Sequence, residues 1–181
     1  TVSFESHRYL LYNDGSNVVP AILTVTIFEG DTPNDNLYLT EVMYSPQSNG
    51  FDYEWVEFYN PNDIAIFVNS WTIADNEQKD NIVSEENEII TIPAKSVGIL
   101  TSSPSTFRET YVNYKYVFSV EDVAIGNGLG TSETIILSKN SYNDAFTYTS
   151  EDGANGNGKT LTRSCYNCAD WSEAVSSPGT I

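Results

Sequence analysis

The stretch EWVEFYNPNDIAIFVNSWTIAD, Glu54 to Asp75, decides the fold class. Glu54 to Tyr59 reads as a strand whose two-residue period places Val56 and Phe58 on one face, taken as the core, and Trp55, Glu57 and Tyr59 on the other. Asn60-Pro61-Asn62-Asp63 is turn chemistry, and Ile64 to Ile73 reads as the returning strand with Trp71 in the core. A central strand pair of this kind is the grammar of an all-β fold, an immunoglobulin-like β-sandwich.

On the C-terminal side, further short strands are expected at Glu88 to Ile92, Ser96 to Thr101, Lys115 to Ser119, Glu133 to Lys139, Asp144 to Thr149 and Lys159 to Arg163, separated by turn residues. Only Asp170 to Val175 has the look of a helical turn. On the N-terminal side, LYLTEVMYSP (Leu37 to Pro46) opens the sandwich, residues 37–181. Residues 1–36 form a β extension and linker: Val2 to Tyr12, a turn at Asn13 to Asn17, Ala21 to Phe28, then the polar linker EGDTPNDN.

Twenty-five Asp and Glu against eight Lys and Arg leave a net charge of −17. Counterion release at phosphates needs grouped cations, and here they are scattered, so nucleic-acid binding is not expected. No apolar run is long enough to span a bilayer, so no membrane insertion is expected either. The chain begins at Thr1 without Met or signal peptide, a start produced by signal cleavage or by excision from a longer chain. With the acidity, which suits either a soluble, self-repelling surface or one neutralised by cations such as calcium, this leads to an extracellular or cell-surface expectation.

GluValMetTyr at 41–44, GluTrpValGluPheTyrAsn at 54–60, Trp71 followed by Asp75, IlePro at 92–93, LeuThrArg at 161–163, and TrpSerGluAla then SerProGly within 171–179 occur in this order. The series resembles the lamin-tail domain, an immunoglobulin-like module of nuclear lamins and of many secreted or surface prokaryotic proteins, over about residues 37–181. The resemblance implies a non-catalytic sandwich used for adhesion, assembly or accessory binding. Residues 1–36 and the Cys165 to Cys168 segment lie outside the pattern.

The residues agree with a non-enzyme. His7 is the only histidine and lies in the extension, and no HExxH, GxSxG or phosphate-binding glycine loop is present. Gly126 to Gly130 reads as a turn. A glycosidase needs only two carboxylates, but 25 acids guarantee chance pairs, so that reading rests on abundance alone.

Three constellations stand out. Glu41, Glu54, Glu57 and Asp75 are candidate calcium ligands, with Glu57 expected on an accessible face; the alternative is that they cap turns, pair with Lys95 or Arg163, or are solvated. Trp55 and Tyr59 are candidates for a glycan- or protein-binding surface, unless Trp55 packs under a hairpin or loop. Cys165 and Cys168 are expected as a local disulfide; a zinc site lacks further ligands, and a redox pair lacks a strand-to-helix setting. The loop Glu151 to Gly158 fails the EF-hand pattern, with Gly153 and Ser164 where ligands belong.

The extension carries Val2, Phe4, Tyr9 and Leu11 as candidate assembly residues, through insertion of Val2 to Leu11 into a neighbouring copy; the alternatives are that its strands close an upstream domain or extend the sheet of this sandwich. The leading expectation is therefore an extracellular structural subunit forming a homopolymer by strand donation, as a filament, tube or surface array, with calcium bridging. The alternative is a non-catalytic module that binds glycan or protein and comes from a larger secreted enzyme or adhesin.

Overall fold

A computed structural model describes residues 3–13, 18–28, 35–47, 50–84, 90–112 and 114–180. The chain divides into two compact units, Thr1–Asn34 and Asp35–Ile181. In the first, β1 (Ser3–Asn13) and β2 (Val18–Phe28) form a two-stranded antiparallel sheet in unbroken register, from Ser3 opposite Phe28 to Asn13 opposite Val18. Phe4, Tyr9 and Leu11 stand opposite Ile27, Ile22 and Pro20, while Val2 lies outside the described residues.

The second unit is an immunoglobulin-like all-β fold built from β3 (Tyr38–Met43), β4 (Trp55–Asn60), β5 (Ile66–Phe67), β6 (Thr72–Ala74), β7 (Lys79–Val83), β8 (Thr91–Ile92), β9 (Ser96–Thr101), β10 (Val117–Val120), β11 (Ser132–Lys139), β12 (Tyr142–Thr149), β13 (Lys159–Arg163) and β14 (Trp171–Val175). Ten of these strands make one curled sheet in the order β12-β11-β6-β7-β10-β9-β4-β3-β13-β14, with β5 and β8 paired beside it.

The curl brings the two ends of the strand order together. Phe146 of β12 stacks on Trp171 of β14 at 3.8 Å. Arg163 of β13 grips Asp144 of β12 through two parallel hydrogen bonds, 2.8 and 3.1 Å, and its guanidinium also donates to the carbonyls of Leu39 and Tyr166. A bidentate pair so little exposed is strong in geometry and costly to break from one side.

Between the facing strands lies the core, with Leu39, Val42, Val56, Phe58, Trp71, Ile73, Leu100, Phe118, Ile135, Leu137, Tyr148 and Leu161 buried together. The alternation that puts Val56 and Phe58 inward is as the sequence implies, and β9 and β13 have the expected bounds. The 64–73 segment is not one strand: it pairs briefly at Ile66–Phe67 and again at Thr72–Ala74, with a turn between. Asp170 to Val175 is not a helical turn either, because Trp171–Val175 is recruited as β14 by the full length of β13.

β9 and β10 are parallel, the one parallel pair of the ten-stranded sheet among the described residues. Parallel neighbours need a crossover, and here it carries the helix α1 (Pro104–Thr110), opened by Pro104 at its first turn. This helix lies over the outer face of the β4 region and creates a second apolar cluster of Met43, Trp55, Ile99, Phe107 and Val117.

Candidate functional site

The outer face of β3 and β4 holds a pair of buried carboxylates. Glu41 and Glu57 stand directly opposite each other, and both are fully buried. A β-bulge between Leu39 and Glu41 lets Leu39 and Val42 both face the core, and the Thr40 hydroxyl donates to Glu57 Oε1 at 2.6 Å. The C-terminal tail closes over the pair: the Ser177 amide donates to Glu41 Oε1 at 2.9 Å and the Gly179 amide to Glu57 Oε2 at 2.5 Å. The Thr160 hydroxyl also donates to Glu41.

Burial pushes the Glu57 carboxyl up to about 7, against the pull of Thr40 and Gly179 and with help from the Glu41 charge. Glu41 is raised too, again by burial. These carboxylates act as brackets that hold the tail on the sheet.

A second group of acids holds the glycine-rich loop. Asp80 Oδ2 accepts the Gly126 amide at 2.6 Å, Asp75 Oδ2 the Asn127 amide at 3.1 Å, and Glu54 Oε2 the Leu129 amide at 2.8 Å. Asp75 Oδ1 also closes its own turn by accepting from Glu77 and Gln78. Gly126 has φ +58°, and a Cβ there would lie 1.9 Å from Asp75 Oδ2, so only glycine fits. Burial raises Glu54 to about 7, opposed by the Leu129 amide and supported by the Asp75 charge.

The four acids singled out in the sequence are therefore not gathered into one site. Glu57, expected to be accessible, is buried because α1 and the tail add a layer that alternation alone does not foresee. None of the four pairs with Lys95 or Arg163, which are engaged by Asp63 and Asp144. Among the described residues no group of three or more His, Cys, Asp or Glu is arranged to hold a metal ion. The oxygens of Glu41, Glu54, Glu57 and Asp75 accept from N–H and O–H donors of the chain.

Trp55 and Tyr59 also part company. Trp55 is only 2 % exposed, edge-on to Phe107 and Tyr111 at 5.8 Å, so of its two readings it is the covered one, with the helix region as the cover. It borders a recess of about 230 Å³ with Met43, Tyr53 and Tyr111. Tyr59 is half-buried against Tyr166 and lines a wider groove of about 520 Å³ with Lys95, Ser96, Val97, Tyr114, Lys115 and Tyr116.

Tyr59 is the one wall of that groove that the sequence singles out as a binding-surface candidate. Cys165 and Cys168 form a disulfide with a Cα separation of 5.1 Å, and it closes the loop that presents Tyr166 between Tyr38 and Tyr59.

The model of the Lamin Tail Domain family matches residues 31–159. No curated protein and no solved structure matches the chain. The match takes in the central strands, both sets of acids and the glycine-rich loop, and stops before β14 and the tail. By the extent of that match, the chain belongs to the lamin-tail domain family.

Proposed function

We propose that this chain is a non-catalytic structural subunit of a surface or extracellular array, in which the β1–β2 unit joins one copy to the next. One observation carries the reading: β1 and β2 pair only with each other, with no third strand joining them among the described residues. An isolated two-stranded hairpin is marginally stable in water, and each strand keeps one unpaired edge. Strand addition to a neighbour satisfies both conditions, and a head-to-tail contact of this kind propagates into a filament or tube. Calcium enters as a bridge between acidic surfaces of neighbouring copies, which the net charge of −17 otherwise holds apart.

Sedimentation velocity of the intact chain and of residues 35–181 tests this. Concentration-dependent assembly of the first and a folded monomer for the second are expected; identical behaviour of the two refutes the role of the hairpin. A second reading, a module that binds glycan or protein, is favoured by the groove beside Tyr59. The two readings can hold in one protein.

A further inference from the structure

We propose that the groove beside Tyr59 binds an extended acidic peptide segment, held by main-chain pairing to β9 and by Lys95 and Lys115; this rests on the binding-module reading. The groove is a fork in the sheet. β9 and β10 pair from Ile99 opposite Val117 onward, and the Ile99 amide donates to the Tyr116 carbonyl at 2.9 Å. Before that point the strands separate, with residues 95–97 on one wall and 114–116 on the other. Strand groups two residues apart point the same way, so the Val97 N–H and C=O face the fork as Ile99 faces β10. A peptide in extended conformation supplies the missing partner.

The charged side chains that line this fork are both cations, with Asp63 paired to Lys95 at its rim and the buried Glu57 carboxylate behind the Gly179 wall. Two of the eight Lys and Arg lie here, in a protein with 25 acids. Lys115 has no ion-pair partner among the described residues, and its Nζ stands 5.5 Å from the Tyr116 ring centroid. Lys95 reaches the Pro61 carbonyl and, at 3.0 Å, Asp63, whose side chain is 93 % exposed. So exposed a pair is worth little and exchanges readily for a ligand carboxylate. Tyr59, Tyr114 and Tyr116 supply apolar walls with polar tips. At about 520 Å³ the groove has the size of a ligand site.

The test uses the intact chain and a fluorescein-labelled octapeptide of alternating Glu and Val, followed by anisotropy, with Gln/Val and sulfated-oligosaccharide probes in parallel. The Glu/Val peptide is expected to bind saturably and to shift the Val97 amide resonance. Affinity falls about tenfold for the Gln/Val probe and for the double variant Lys95→Gln/Lys115→Gln, and is unchanged for Lys159→Gln. Lysine-dependent binding of the oligosaccharide without the peptide overturns the ligand class and leaves the binding module standing. Binding of neither probe overturns both. Peptide binding indifferent to the lysines or to Val97 overturns the location.

Discussion

Replacing Glu57 by Gln separates the bracket role of this carboxylate from its charge. Glu57 Oε1 accepts from the Thr40 hydroxyl and Oε2 from the Gly179 amide. Glutamine keeps an acceptor for Gly179 and offers its amide to Thr40, whose hydroxyl can turn to accept, so both contacts survive. What changes is titration. The folded-state value is about 7 against 4.5 for the free group, so ionisation disfavours the folded state: the contribution of Glu57 is fully present below about pH 4.5 and is lost as pH rises through about 7.

Between pH 8 and pH 5 that linkage amounts to about 2–3 kcal/mol in favour of the lower pH. Urea unfolding at the two pH values is expected to show the wild type gaining stability on acidification and Glu57→Gln gaining less by about that amount. Glu54 titrates in the same window and contributes to both proteins alike. Equal gains for the wild type and the variant refute the buried, charge-penalised bracket.

Arg163→Ala leaves Asp144 without its bidentate partner and opens the contact between β12 and β13; a loss of about 3–5 kcal/mol in denaturant unfolding is expected. Phe107→Ala removes the helix side chain that covers Trp55, with an expected cost of about 3–5 kcal/mol and a red shift of tryptophan emission. Chelation with EDTA is expected to reduce polymer size while leaving the melting temperature of residues 35–181 unchanged. A fall in melting temperature contradicts the assignment of the buried carboxylates to N–H donors, and an unchanged polymer removes calcium from the assembly.

The inner face of this domain was legible in the sequence and the outer one was not. Val56 and Phe58 follow from alternation, and Ser96–Thr101 and Lys159–Arg163 from strand chemistry between turns. The same alternation assigns Trp55 and Glu57 to the opposite face correctly, but it cannot say that this face is covered. The cover comes from seven helical residues too few to show a period, and from a tail that meets Glu57 122 positions further along the chain. The acids suffered most from this. Their number drew attention to cation binding, whereas Asp75, Asp80 and Glu54 spend their oxygens on the amides of a loop whose glycines were read as a simple turn.

Short strands were lost for a related reason. Lys79–Val83 alternates exposed Lys79 and Asn81 with buried Asp80 and Ile82, so a charged residue sits on the inward side and hides the pattern. Asp80 is buried there because the Gly126 amide and Gln78 supply its partners.

Amide hydrogen exchange along β1, measured as a function of protein concentration, tests the central claim most directly. In the hairpin alternate amides of β1 face β2, and the others face outward without a partner strand among the described residues. The outward set is expected to become protected as the intact chain assembles, while the amides of β4 and β9 keep the protection they have in the monomer. Outward amides that exchange freely at concentrations where the chain sediments as a polymer would contradict it.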